Sequence, residues 1–152
     1  MGVLCDYFVV AEGVDPAVVL DEPGGPISMN SGQLRGLVET KGVDPAVEAS
    51  CLQSALTGEE LSALVVDPAA GCMVAMVDDG ERMVLGVHPG LVSALAGLDL
   101  AQAGEVATAW AEVSRQDLGL QLADRVRLVE GLAGLARAAH DVDERVYCWV
   151  CV

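Results

Sequence analysis

A chain of 152 residues, 53% of them hydrophobic and with a mean hydropathy of +0.45, is long enough for one domain with a core of its own. Its apolar stretches all stop short of the roughly 20 residues a membrane helix needs. Eight basic against 23 acidic residues leave a net charge of −15, a field that repels nucleic acid and anionic lipid and attracts a basic protein.

The charge is uneven: residues 1–68 carry a net −9 and residues 69–152 a net −6. Five cysteines is an odd number, and the opening Met1-Gly2-Val3-Leu4-Cys5 lacks the basic region and long apolar core of a signal peptide. Position 6 is Asp where a myristoylation motif wants Ser or Thr. The expectation is a cytoplasmic protein whose thiols are not a disulfide framework.

In chain order, Val3-Leu4-Cys5-Asp6-Tyr7-Phe8-Val9-Val10 reads as a first strand. Gly13-Val-Asp-Pro-Ala-Val18 follows, recurs as Gly42-Val-Asp-Pro-Ala-Val47, and returns in part as Val66-Asp-Pro-Ala69. Asp before Pro is a helix-start device, since Asp caps free N–H groups and Pro at the first position has none to lose. Glu22-Pro-Gly-Gly-Pro26 stops the first helix, residues 23–33 read as a mobile loop, and Leu34 to Glu39 as a weak strand. A helix is expected over 44–56, with Thr57-Gly58-Glu59-Glu60 opening a further turn.

Asp79-Gly80 between two apolar runs predicts a two-residue hairpin with Met76 facing Met83, Ala75 facing Val84 and Val74 facing Leu85. Because both its faces are apolar, the hairpin is expected inside the sheet. Pro89 opens one helix, Asp99 caps a second, and a third spans about 119–140. The last seven residues, Val146-Tyr147-Cys148-Trp149-Val150-Cys151-Val152, read as a strand buried on both faces and paired with the first. The class is α+β: a single domain over 1–152, with a small mixed or antiparallel sheet that holds both termini and the central hairpin, packed by helices mostly from the second half.

Cys148-Trp-Val-Cys151 has the spacing of redox and zinc sites. On a strand, however, residues three apart point to opposite faces, so the pair reads as buried apolar filling. His88 and His140 sit at a helix start and a helix end, where capping is the plain role. Pairing of either with Cys5 or Cys148 as a nucleophile is open. Asp6 interrupts an apolar strand, which requires an edge position or a buried partner, and Arg145 is the partner expected. The acid clusters Asp78-Asp79-x-Glu81 and Asp141-x-Asp143-Glu144 have carboxylates for a divalent cation, at positions that turn chemistry alone also favours. No cofactor motif is present in the sequence, so none is expected.

The opening Met-Gly with Tyr7-Phe8, the segment Leu52-Gln-Ser-Ala-Leu-Thr-Gly58, and a helix-rich end closing on an apolar strand together resemble the YfbM-like family of unknown function. Lys41-Gly-Val-Asp-Pro45 and Arg145-Val-Tyr-Cys-Trp149 are similar to strings in hypothetical proteins of high-GC bacteria. The resemblance implies an α+β domain and no activity. Three functions remain open at this level: a protein-binding module, of inhibitor or immunity type, for a basic protein; a small hydrolase or metal-dependent enzyme built on Asp6 or an acid cluster; and a structural homo-oligomer.

Overall fold

The computed structural model describes residues 2–114 and 116–152. The chain runs β1 (Leu4–Val10), β2 (Leu34–Lys41), α1 (Glu48–Thr57), the single turn α2 (Leu61–Leu64), β3 (Cys72–Val77), β4 (Arg82–Gly86), α3 (Pro89–Ala96), α4 (Ala103–Val113), α5 (Leu122–His140) and β5 (Tyr147–Cys151). The strands form one sheet in the order β2-β1-β5-β4-β3, and every neighbouring pair is antiparallel. The first and last strands are therefore hydrogen-bonded to each other, with Cys5 opposite Val150 and Tyr7 opposite Cys148. This is an α+β fold in which helices of the second half supply most of the cover.

Strand alternation sorts the side chains into two cores. Cys5, Tyr7, Val9, Cys148 and Val150 face the helices, where they meet Leu52, Leu91, Trp110, Val129 and Leu132. Phe8, Val10, Val84 and Trp149 face the other way, under Val19 and Leu20 of a 3-10 turn at Pro16–Asp21. That double burial explains why both end strands read as nearly unbroken apolar runs. Cys148 and Cys151 belong to opposite cores, so the C-x-x-C spacing brings no pair of sulfurs together.

The Asp-Pro device works as a turn whose carboxylate accepts backbone N–H groups. Asp15 accepts from Ala17 at 2.9 Å and Asp67 from Ala69 at 2.9 Å. Asp44 accepts from Ala46 at 3.0 Å, Val47 at 2.7 Å and Glu48 at 3.3 Å. The turn uses up residues 45–47, so α1 begins at Glu48 rather than at 44.

The hairpin differs from its sequence reading. Ala75 does face Val84 and Met76 faces Met83, but Val77 pairs with Arg82, so four residues form the connection. Asp78 and Asp79 both take left-handed conformations there, at φ +53° and +54°. Val74 sits in a bulge, which sets Met73 rather than Val74 opposite Leu85. Only β4 is interior to the sheet; β3 is an edge.

Within the segment 23–33, a 3-10 turn at Gly25–Ser28 lies across the sheet with Gly25 and Pro26 buried. Gly25 has φ +71°, and a Cβ there would stand 2.6–2.7 Å from three ring carbons of Trp149. Only hydrogen fits between that backbone and the indole. At Gly13, with φ +78°, a Cβ would meet nothing within 4 Å. Gly13→Ala is therefore expected to cost about 1 kcal/mol, the left-handed penalty alone, and Gly25→Ala to cost roughly 2–4 kcal/mol, because a steric clash is added. Denaturant unfolding of the two variants checks the difference.

Candidate functional site

β1 and β2 pair so that Asp6 lies opposite Glu39 and Leu4 opposite Lys41. On its other side Asp6 lies opposite Trp149 of β5. Trp149, Asp6 and Glu39 thus form a row across three strands on one sheet face, with neighbouring Cβ atoms about 5 Å apart. The row borders an open cleft of about 590 Å3 at the β2 edge, lined also by Gly24 and Ile27 and by Leu120, Asp124, Arg127 and Leu128 around the start of α5. A space of that size falls within the range of small-ligand sites.

The chemistry of the row is unbalanced. Asp6 is only 6% exposed. One of its oxygens accepts the Thr40 N–H at 3.3 Å, and no basic side chain pairs with either Asp6 or Glu39 among the described residues. Burial raises the Asp6 carboxyl above the ordinary carboxylate range; the Thr40 N–H opposes this and the negative charge of Glu39 adds to it. The Trp149 indole N–H is buried and has no acceptor among the described residues. At the rim Arg127 is paired with Asp124, while Lys41 has no ion-pair partner among the described residues.

Arg145 is not the partner of Asp6. The register puts Trp149 opposite Asp6, four residues farther along β5 and so about 13 Å away. Arg145 instead crosses Gly86 to reach Cys72, its Nη2 3.4 Å from the sulfur and its guanidinium 5.7 Å from the Tyr147 ring centroid.

Neither His88 nor His140 lines the Asp6 cleft. His88 caps α3: Nδ1 accepts the Gly90 N–H at 2.9 Å, and Nε2 lies 3.0 Å from the Asp67 carboxylate. With Nδ1 accepting, the proton resides on Nε2 and is donated to Asp67. The Ala69 N–H, and after it His88, hold Asp67 below its usual range. His140 shares a smaller cavity of about 230 Å3 with Asp143, Glu144 and Ser93. Asp141 is not part of that lining, and Asp78 is tied to Arg82 at 2.6 Å within the hairpin turn beside Asp79 and Glu81. Among the described residues no three His, Cys, Asp or Glu side chains converge as a metal ion requires.

Two of the buried thiols, Cys51 and Cys148, are poor nucleophiles. Burial pushes Cys51 up to about 11 and Cys148 well above the ordinary thiol range, so both stay protonated at neutral pH. Cys5 and Cys148 lie in the helix-side core, and both His88 ring nitrogens are engaged elsewhere.

A second polar group was invisible in the sequence. Glu48 is fully buried, accepting from Trp110 Nε1 at 3.3 Å and from Ser114 Oγ at 2.9 and 3.0 Å. The Arg125 guanidinium lies 4.6 Å over the Trp110 ring, and its Nη1 is buried without an acceptor among the described residues. These side chains clamp α1, α4 and α5 together inside the helical layer. Nothing in a helix-start Glu and a helix-face Arg distinguishes them from solvent-facing charges.

Asp6 gives the cleft a measurable signature. In the pH window between the ordinary carboxylate pKa and its raised native value, the native state holds more protons than the unfolded chain. Stability therefore falls as pH rises through that window and stays reduced above it. Asp6→Asn keeps an acceptor for Thr40 and removes the charge. It is expected to melt higher than the parent at pH 7 and to converge with it below about pH 4, as thermal unfolding across pH would record.

Compared with protein-family models, curated proteins and solved structures, the chain matches none of them.

Proposed function

We propose that the chain is a cytoplasmic protein-binding module that meets a basic protein and seats one of its cationic side chains in the Asp6 cleft. The observation that supports this most directly is the Asp6–Glu39 pair. Two carboxylates directly opposite on adjacent strands repel each other, and a lysine or arginine head entering the cavity would neutralise both. Leu4, Ile27, Leu120 and Leu128 offer the aliphatic stem an apolar wall. A net charge of −15 would speed the encounter. The hydrolase reading finds less support, since the described residues lining the cleft include no His, Cys or Ser to work with Asp6. The YfbM-like resemblance is retained within this proposal, as it brings a domain and no catalytic residue. Among the described residues no helix is long and apolar enough to cross a membrane.

The probe is a blocked hexapeptide of alternating arginine and alanine, titrated while the Trp149 indole N–H resonance is followed by NMR. The resonance is expected to shift on binding. Asp6→Asn combined with Glu39→Gln should weaken the affinity about tenfold, or about 1.4 kcal/mol. Binding should strengthen as pH rises through the raised Asp6 value, because only the carboxylate attracts the cation, with Glu39, Lys41, Asp124 and Arg127 as the other charges on the cleft. Added salt should weaken it. Shifts spread over the acidic surface that ignore the double substitution would defeat the proposal.

A further inference from the structure

The two edges of the sheet are treated differently. β2 carries Arg35, Glu39 and Lys41 and is packed by α5, and charged, covered edges resist pairing with other chains. β3, Cys72-Met-Val-Ala-Met-Val77, has no charge and no proline. Its Met73 is 54% and its Met76 59% exposed. Beside them Met83 and Leu85 of β4 are only half-buried, because the helices that cover the rest of this face do not extend over β3.

The ends of this bare edge carry opposite charge. At the Cys72 end Arg145 is exposed and lies across Gly86, where a Cβ would come within 2.6 Å of its Nη2. In a chain with only eight basic residues, its guanidinium has no carboxylate partner among the described residues and reaches Cys72 instead. At the other end stand Asp78, Asp79 and Glu81, and Arg82 neutralises only Asp78. From end to end the edge reads positive, apolar, negative.

We propose that β3 is the interface with a second copy of this chain, the two β3 strands pairing antiparallel about a twofold axis near Val74 and Ala75. A twofold axis uses the same patch on both molecules and so requires self-complementarity. An antiparallel partner reverses the pattern, which sets each Arg145 beside the other copy's Asp78–Asp79 turn and lays the methionines of the two copies side by side. A partner of a single charge would satisfy one end of the edge and oppose the other, and that favours a second copy over a generally basic protein. Both Asp6 clefts, at the far β2 edge, stay open in such a dimer.

Sedimentation velocity over low-micromolar to high-micromolar protein tests the interface, independently of any ligand for the cleft. The mass is expected to double as concentration rises. Met76→Lys, at an exposed position, is expected to leave the melting curve unchanged at low-micromolar protein, where the parent too is monomeric, and to keep the protein monomeric at high-micromolar protein. Arg145→Glu should raise the dimer dissociation constant about tenfold, and Arg145→Glu combined with Asp79→Lys should recover most of the loss. A monomeric mass throughout the range, a dimer indifferent to Met76→Lys, or a charge exchange without recovery would each overturn the proposal.

Discussion

The antiparallel ladder between β1 and β5 is the constraint on which the molecule depends. It joins the first strand to the last and so must wait for nearly the whole chain, a contact of high sequence separation with a large closure cost. Burial on both faces offsets that cost. Tyr7 and Cys148 go into the helix-side core while Phe8 and Trp149 go beneath the 3-10 turns, so each residue of the pair removes apolar surface from water whichever way it points. The Tyr7 hydroxyl then donates to the Val43 carbonyl at 2.6 Å, which fixes the connection between β2 and α1 to the central strand.

The ladder also builds the cleft. Strand register decides which side chains share a row, and β1 receives Glu39 on one flank and Trp149 on the other only because its partners pair in this register. A slip of one residue would turn Asp6 into the helical core, opposite Cys148 or Val150, where a carboxylate would have neither solvent nor cation. The apolar alternation of β1 and β5 forbids the slip. Stability and the placing of Asp6 are thus one arrangement, with Gly25 above the Trp149 ring as its lid.

The sequence made the end strands, the filling role of the cysteines and the turn chemistry of Asp-Pro legible, because each depends on local pattern or on a period of two. It also singled out Asp6, since a charge within an apolar run breaks a local rule. The partners of Asp6 were not legible. They come from β2, a weak strand whose register no local signal announces, and from Trp149 of β5, while Arg145 precedes that strand, near in sequence and far from Asp6. The same limit hides Glu48 and Arg125, whose burial depends on how three helices pack. The hairpin was misread for a different reason: Asp tolerates left-handed backbone, so Asp78 and Asp79 could both turn and lengthen the two-residue connection to four.

Folding alone gives no reason for a carboxylate at position 6. The position is nearly buried, the neighbouring strand brings a second acid opposite it, and the hydrogen bond that the described residues supply, from Thr40, an asparagine would accept as well. A residue that costs stability where a neutral one would serve marks a place where local consistency has been given up, and such places coincide with binding or catalysis more often than with packing. Glu48 makes the contrast. It too is a buried acid, yet Trp110 and Ser114 satisfy it and it holds helices together. Asp6 holds nothing together that asparagine would not, and it is on this difference from Glu48 that the proposed role of the cleft rests.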